Sequence, residues 1–417
     1  MLPHVLERFD HIWELLGQPP PIEDDKRRHS RRLSAKDADL LRATGVVSLA
    51  TPSKTRGWVI PFTVVEERES GWRRRMIAWP RAKNAHDVYE ARLPLQHVAY
   101  YLDAVGDDIA TTVDLKASFF QVELPPAWRS LYRFRDTRGT LLELTRLPMG
   151  YVASPEVMQL LVMAVAGHPD VVRKEFANPQ TVRTDVWTDN IRLSGNATVI
   201  QAAQAALTIT AQQANVTIGD QQWLARRYTF LGVVYNHTTK TVALASKFTR
   251  KCAEAPPHAH MTVADLEVFI SRAFFASAVL DIPMINYYFL LKLTRRHLSA
   301  LNRGLCKLGD GSALSPSVTK LAESLHARII QNLPRCIRPV ESTPISILAT
   351  DASEHGWGAV FLPPCGPQLV VGGRWTSPPP PPSSSCKPRH APCTSLTGRW
   401  RHTFVAPAST CMLIIPR

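Results

Sequence analysis

Two aspartates lie at the ends of short apolar runs in the first half of the sequence. Asp114 closes the run TTVDL, and Asp189 lies at the centre of TDVWTDNIRLSG, where a hairpin tip is predicted. A carboxylate at a strand end can hold a divalent cation at the mouth of a sheet. Each aspartate alone is also typical of an ordinary turn or cap, so the prediction of a metal site depends on their combination.

A third segment, RLPMGYVASPEVMQ, lies between the two aspartates. Pro148 and Gly150 predict a loop in which the main chain can approach a flat ligand. Ser154 and Pro155 predict the cap and the first residue of a helix. The order of acid, loop, helix and second acid is far more specific than any one of these features.

The elements that must position these residues form a mixed α+β pattern. Residues 46–234 are rich in short β-branched or aromatic runs, which predict strands: WVIPFTVVE, RMIAW, TTVDL, SLYRFR, TLLELTRL and RLSG. Helices are predicted at 155–166 and 198–214. After Tyr235, the stretches VADLEVFISRAFFASAV and VTKLAESLHARIIQNL repeat apolar residues every three or four positions and predict a second, helical domain.

The first 45 residues predict a helix followed by a basic linker. Glu7, Arg8 and Asp10 interrupt the apolar spacing of MLPHVLERFDHIWELLG, which favours an amphipathic helix over a secretory signal. The segment Lys26–Arg32 holds five basic residues. We interpret it as a solvated loop, with a nuclear-targeting or phosphate-contacting patch as the alternative.

Length and composition limit the class of protein. A chain of 417 residues, 45% of them hydrophobic, has room for two to four domains of roughly 100–200 residues each. The net charge of +14 favours polyanionic partners, of which nucleic acid is the first. No apolar run is long enough to span a membrane. The seven cysteines include no C-x-x-C pair and predict a reducing compartment, so we expect an intracellular protein of the cytoplasm, the nucleus or both.

The segments around the two aspartates resemble the palm of reverse transcriptases. That palm has a strand aspartate followed by a steric aromatic residue, an LPxG-x-x-x-SP loop with its helix, and a Y-x-D-D hairpin. RMIAWPRAKN, with Arg75 and Arg81, resembles the fingers motif that holds the incoming triphosphate, and FLGVVYN resembles the hairpin that grips the primer. The resemblance covers about residues 55–236. The LPMG loop and the later helical region are most similar to those of DIRS-like or VIPER-like retroelements.

The resemblance implies an RNA-directed DNA polymerase of a retrotransposon, with fingers and palm at 46–236 and a helical thumb or connection at 237–340. The implied cofactors are two Mg²⁺ ions, with Mn²⁺ as a possible substitute, and the implied partners are an RNA template, a DNA primer and deoxynucleoside triphosphates. The implied site residues are Asp114 and Asp189 for catalysis; Asp114, Asp189 and Asn190 as metal ligands; Arg75, Phe119, Met149 and Gly150 for the nucleotide; and Phe230, Leu231 and Gly232 for the primer grip.

Some of these assignments have competitors. Phe119 would exclude a 2′ hydroxyl, but Phe120 could fill that role if the two rings point to opposite faces of a strand. Arg73 and Arg74 compete with Arg75. Asn190 stands where the family hairpin carries a second acid, and an amide lacks the charge that offsets Mg²⁺. The rival hypothesis is therefore a degenerate retroelement product that only binds nucleic acid, and a host-adapted structural protein is a third.

The C-terminal part resembles an incomplete ribonuclease H. ILATDASEHGWGAVFL, with Asp351 closing a strand, is similar to the first hairpin of that fold, and we expect a partial fragment at 341–377. The fold requires three or four carboxylates, and no acid follows Glu354, so ribonuclease H activity is not expected. Residues 378–417 form a Pro/Ser-rich tail that predicts no ordered fold, and a frameshift or truncation near Pro378 would account for its composition.

Overall fold

A computed structural model describes residues 1–20, 32–68, 71–92, 95–337, 346–352, 356–363, 365–374 and 411–413. The chain divides into two compact units, Met1–Arg338 and Pro339–Arg417. Most of the basic segment Lys26–Arg32 and nearly all of the Pro/Ser-rich tail lie outside the described residues.

The predicted helices are confirmed to within one or two residues. The helices of the first unit are α1 (Pro3–Gly17), α2 (Ala35–Ala43), α3 (Arg81–His86), α4 (Ser154–Val165), α5 (Ala197–Gln213), α6 (Ser246–Ala253), α7 (Val263–Leu280), α8 (Tyr288–Asn302) and α9 (Pro316–Gln331). Among the described residues, no helix is long and apolar enough to cross a bilayer. The prediction that Ser154 caps α4 is wrong, because Ala153 is the N-cap residue and the buried Ser154 lies already inside the first turn.

The strands found among the described residues of the first unit form four sheets. They are β1 (Val47–Leu49), β2 (Ile60–Arg68), β3 (Gly71–Trp79), β4 (Ile109–Leu115), β5 (Arg133–Arg135), β6 (Leu141–Leu144), β7 (Arg183–Trp187), β8 (Asn190–Gly195), β9 (Ile218–Ala225), β10 (Arg227–Phe230), β11 (Val233–Asn236), β12 (Thr241–Leu244) and β13 (Arg335–Cys336). The sheet orders are β7-β8-β4-β9, β1-β6-β5, β10-β11-β12-β13 and the hairpin β2-β3.

The sheet β7-β8-β4-β9 lies between two apolar cores. Successive side chains of a strand point to opposite faces, so Val113 and Leu115 of β4 pack with α4 and α5 in one core. Ala110 of β4 belongs to the other core, which also contains the inward faces of β10, β11 and helices α7–α9. The sheet is therefore covered on both sides along part of its length, and Asp114 lies near the end of β4.

The second unit contains one described sheet, ordered β16-β15-β14-β17. Its strands are β14 (Ile347–Ala352), β15 (Gly356–Leu362), β16 (Leu369–Arg374) and β17 (Cys411–Leu413). The two strands predicted in ILATDASEHGWGAVFL are confirmed by the antiparallel pair β14-β15, and residues 353–355 between them lie outside the described residues. The tail is not wholly without structure, because the short apolar segment β17 pairs in parallel with β14.

Candidate active site

The sheet register brings the two candidate acids to the same end of one sheet. Asp114, near the end of β4, lies directly opposite Asn190, the first residue of β8. The main-chain N–H of Leu115 donates to the carbonyl oxygen of Asp189 at 3.0 Å. Residues that are far apart in the sequence are thus joined by the antiparallel pairing of β4 with β8.

The acidic hairpin, residues 183–195, has a tight tip that a side chain from α4 braces. Trp187 pairs with Asn190, which leaves Thr188 and Asp189 as the two loop residues. Thr188 has a φ of 55°, a left-handed conformation that is unfavourable for a β-branched residue. Its N–H donates to Gln159 Oε1 at 2.6 Å, and Gln159 Nε2 donates to the carbonyl of Val186 at 3.0 Å. The buried Gln159 amide therefore holds the tip in the conformation that presents Asp189.

Asp189 is half-buried and accepts hydrogen bonds on both carboxylate oxygens. Asn190 Nδ2 donates to Oδ1 at 3.0 Å, and Ser118 Oγ donates to Oδ2 at 3.4 Å. Asp114 is also half-buried. Among the described residues, no three His, Cys, Asp or Glu side chains converge on a possible metal position, so the acid donors at this site are these two aspartates.

The Pro-Gly loop packs against the end of β3. The N–H of Ala78 donates to the carbonyl of Met149 at 2.9 Å. Gly150 has a φ of 127°, and a Cβ there would lie 2.8 Å from the carbonyl oxygen of Ala78. Glycine is therefore required twice, by the main-chain conformation and by the close approach of β3.

A buried ion pair next to the Pro-Gly loop anchors it through Tyr151. Lys83 Nζ lies 2.9 Å from Asp87 Oδ2, and each side chain is 1% exposed. Tyr151, next to Gly150, donates its hydroxyl to the same Asp87 oxygen. Burial lowers the pKa of Lys83 and raises that of Tyr151. The loop is thus anchored to α3 through a neutral phenol that donates to a carboxylate.

Arg75 lies on β3, where it forms an ion pair with Glu66 across the β2-β3 hairpin at 2.8 Å. Arg74 pairs with Asp37 of α2 at 3.0 Å, and Arg81 stacks on Trp79 with 5.5 Å between the guanidinium carbon and the ring centre. The predicted contact of Arg75 with a triphosphate stays a prediction. Binding a phosphate there requires Arg75 to exchange its Glu66 partner.

The prediction that Phe119 and Phe120 point to opposite faces of a strand is wrong. Both residues belong to a 3₁₀ turn, Ser118–Gln121, that follows Ala117 in a left-handed conformation with a φ of 52°. Both rings are half-buried against the same core. The chain has turned away from β4 at Ala117, so alternation along a strand no longer applies.

The aromatic hairpin, residues 227–236, has a two-residue turn. Leu231 and Gly232 have φ values of 51° and 78°, the positive pair that matches the twist of a tight hairpin. Phe230 is 3% exposed and packs edge-on against Tyr101, with ring centres 5.9 Å apart. Its ring therefore supports the hairpin from inside, and of the three predicted grip residues only Leu231 and Gly232 are partly exposed.

Sequence reasoning missed a buried ion pair behind the acids. Arg192 and Asp185 face each other across β7 and β8 and are 0% and 3% exposed at their side chains. The signal was the symmetry of the hairpin, because closure at Trp187 and Asn190 puts residues 185 and 192 opposite each other. Gln159 and Ser118 had no such signal.

Asp351 of the second unit lies in a different setting. It pairs with Gly358 in the register of β14 with β15. Among the described residues of this unit it is the only acid, and Glu354 lies outside the described residues.

Comparison with known proteins identifies the fold. No protein-family model and no curated protein matches the chain. Solved structures of foamy viral protease-reverse transcriptase are similar to this chain, among them the following three. Two are complexes with double-stranded DNA, with TM-scores of 0.57 and 0.54 and identities of 15% and 14%. They cover 99% and 100% of this chain and 70% and 94% of the viral chains.

The third solved structure is a complex with an RNA/DNA hybrid, with a TM-score of 0.55, 17% identity, and coverage of 90% of this chain and 49% of the viral one. Identities this low describe the fold alone. The prediction of a reverse-transcriptase-like fold, made from five short motifs, is confirmed at that level. The chain has a mixed α+β fold similar to that of viral reverse transcriptases.

Proposed function

We propose that this chain is the RNA-directed DNA polymerase of a retrotransposon. The observation that carries the proposal is the register of β4 with β8, which places Asp114 opposite Asn190 and joins Leu115 to Asp189. Nucleotidyl transfer requires carboxylates from adjacent strands at one point. The reverse-transcriptase-like fold supports the same reading.

The donor set fits a divalent metal. Asp114 and Asp189 offer hard carboxylate oxygens from adjacent segments, as Mg²⁺ and Mn²⁺ prefer. Two such ions would lower the pKa of the primer 3′ hydroxyl and neutralise charge on the phosphates. Asn190 presents its Nδ2 to Asp189, so as a ligand it would have to turn its oxygen outward.

The chain's own residues orient the reactants. Gln159 fixes the tip that carries Asp189, and the Met149–Gly150 loop offers main chain to the nascent base pair. Arg75 would transfer from Glu66 to the triphosphate, because a guanidinium binds phosphate oxygens with two parallel hydrogen bonds. Phe119 remains our proposed sugar gate, with Phe120 beside it.

Two helices offer basic faces to a template-primer duplex. Lys247, Arg250 and Lys251 are exposed at one-turn spacing on α6. Lys292, Arg295 and Arg296 repeat that spacing on α8. Rows of exposed cations follow a phosphate backbone and make binding strongly dependent on salt.

In finer terms, we assign residues 46–236 to fingers and palm, 237–340 to thumb and connection, and 341–377 to a ribonuclease H remnant around Asp351. The DIRS-like or VIPER-like group remains our assignment, on the style of the LPMG loop and the helical region.

A second candidate function is nucleic-acid binding without synthesis. The observation in its favour is Asn190, whose amide donates to Asp189 where a polymerase of this family carries a second acid. Such a product would keep the exposed cations of α6 and α8 and would bind nucleic acid without catalysing nucleotide addition.

The test is primer extension by the purified chain on an RNA template, in Mg²⁺ and separately in Mn²⁺. Asp189→Asn should lower the rate of extension by roughly 10³-fold, because an amide lacks the charge that offsets the metal ions. Each tenfold loss corresponds to about 1.4 kcal/mol of transition-state stabilisation. Asp281→Asn is the matched control, because Asp281 is exposed, ends α7 in a left-handed conformation that Asn accepts, and lies outside the site.

Asn190→Asp separates the two candidates. Under the polymerase proposal it should lower the Mg²⁺ concentration needed for half-maximal extension by roughly tenfold, because a carboxylate adds charge to the ligand set. A wild-type chain that binds template-primer without extending it, in Mg²⁺ or Mn²⁺, would contradict the polymerase and support the second candidate.

A further inference from the structure

The acidic hairpin contains a cation that is wholly buried. Arg192 is 0% exposed, and its Nε and Nη2 donate to Asp185 Oδ2 at 3.0 and 2.6 Å. Nη2 also donates to the carbonyl of Tyr101 at 2.8 Å. Burial acts to lower the pKa of Arg192, but Asp185 together with Tyr228 and Tyr235 raises it, so the guanidinium stays charged. Burying an ion pair is costly unless its geometry is well satisfied, so its presence calls for a role.

Arg192 is joined to the aromatic hairpin. Its guanidinium carbon lies 4.6 Å from the ring centre of Phe230 and 4.6 Å from that of Tyr235. These rings belong to the two strands of that hairpin, so the cation lies against both of them. A desolvated cation is attracted to the faces of aromatic rings by their quadrupole. Since the rings must face the cation, this contact fixes orientation as well as distance.

Arg192 is also joined to the candidate acids. It lies two residues after Asn190 on the same face of β8, opposite Thr112 of β4, and Asp114 lies two residues further along β4. Asp185 occupies the matching place on β7, two residues before Trp187. The aromatic hairpin is therefore connected through Arg192 and β8 to the tip that carries Asp189.

We propose that the Asp185–Arg192 pair, held between Phe230 and Tyr235, is a positioning device that fixes the primer-binding hairpin relative to the catalytic acids. This inference rests on the proposed function, because it assigns the aromatic hairpin to the primer terminus. It names Asp185, Arg192 and Tyr235 as positioning residues. None of them touches a reacting atom.

The test is single-turnover primer extension, which separates the rate constant of addition from the concentration of active enzyme. Tyr235→Leu should lower the rate constant roughly 10- to 100-fold, since a misplacement of about 1 Å costs about 10²-fold. The burst amplitude and the template-primer Kd should change little. Tyr235→Phe, which keeps the ring, should restore most of the rate.

Two further variants keep the test interpretable. Arg192→Lys retains the charge but loses the two-nitrogen contact with Asp185, so its rate should lie between those of Arg192→Met and wild type. Tyr287→Leu removes a buried ring of the same core in the helical region and should leave the rate constant unchanged. A merely structural role for Tyr235 predicts a lower burst amplitude at an unchanged rate constant, and that result would overturn the proposal.

Amide hydrogen exchange in the free protein distinguishes failure of this inference from failure of the proposed function. Tyr235→Leu, a change in the aromatic hairpin, should speed exchange at residues 183–195 and leave the sheet β1-β6-β5 unaffected. If wild type extends no primer, the proposed function fails. The exchange result still decides whether Tyr235 and Arg192 couple the aromatic hairpin to the acidic hairpin. Unchanged exchange in the acidic hairpin would overturn the coupling whether or not the chain is active.

Discussion

The sheet-rich region, residues 1–244, and the helical region, residues 246–331, place their charges differently. Among the described residues, the ion pairs in which both side chains are at most 3% exposed all lie in the sheet-rich region, and they are Lys83–Asp87, Arg133–Glu143 and Arg192–Asp185. The helical region instead carries two rows of exposed cations, one on α6 and one on α8.

The difference separates two physical tasks. A buried pair has a fixed geometry, so it can hold loops and hairpins at set distances. An exposed row of cations has little fixed geometry but attracts a polyanion over a long range. Under the proposed function, the sheet-rich region would position reacting groups and the helical region would hold a nucleic-acid backbone.

The largest effect is expected on the free energy of unfolding, when a buried ion pair is broken. Arg133 donates to Glu143 at 2.9 Å and to main-chain carbonyls of Thr51 and Ser53. Arg133→Met leaves Glu143 buried and unpaired, so it should lower the free energy of unfolding by roughly 3–5 kcal/mol. Urea unfolding followed by tryptophan fluorescence measures the loss.

An exposed pair in the same region provides the control. Arg129 and Glu123 lie 2.9 Å apart, but the Glu123 side chain is 62% exposed. Arg129→Met should cost about 1 kcal/mol or less. Equal losses for Arg129→Met and Arg133→Met would remove the basis for distinguishing buried from exposed pairs.

The second effect concerns the exposed cations of the helical region. Changing Lys292, Arg295 and Arg296 together to Gln should weaken template-primer binding roughly 10- to 100-fold at moderate salt and lower the salt slope by up to about 2.7. Fluorescence anisotropy at several salt concentrations measures both quantities, and stability should change little.

Three equally exposed cations of the sheet-rich region, Lys54, Arg173 and Lys174, serve as the matched control. Changing them together to Gln should leave the salt slope nearly unchanged. If both triple variants lower the slope equally, binding follows net charge and the helical region has no special role.

The smallest effect is the pH dependence of the helical region. Burial and the neighbouring His326 lower the pKa of His258 below 6.5, while Glu323 acts in the opposite direction. The unfolded chain therefore binds a proton more readily, and stability present above about pH 6.5 is lost as pH falls from there towards the folded-state pKa. Exchange at amides of α7 and α9 should be faster at pH 5.5, after correction for intrinsic rates, than at pH 7.5.

His258→Phe should remove part of that difference, and the exposed His260→Phe should leave it unchanged. His168 and His237 of the sheet-rich region also have pKa values lowered by burial. The local exchange of α7 and α9, and not global unfolding, is therefore the decisive measurement. An identical pH response in His258→Phe and wild type would contradict the prediction.

Much of the fold was readable because its signals are local. The helix at 154–165 follows from a Pro at its start and an apolar stretch, and α7 follows from apolar residues repeated every three or four positions. The order of acid, loop, helix and acid along the sequence predicts the reverse-transcriptase-like fold. The errors came where the main chain leaves a regular element, as at Ala117, whose left-handed turn ends the alternation of β4.

The sequence by itself determined the element types, their order and the presence of two aspartates in turn-like settings, since these depend on residue periodicity and local main-chain preference. Only the tertiary structure decided that Asp114 lies opposite Asn190, that Gln159 braces Thr188 and that Arg192 is buried between two rings. Those contacts join segments distant along the chain. Their geometry is set by sheet register and core packing, which no local pattern specifies.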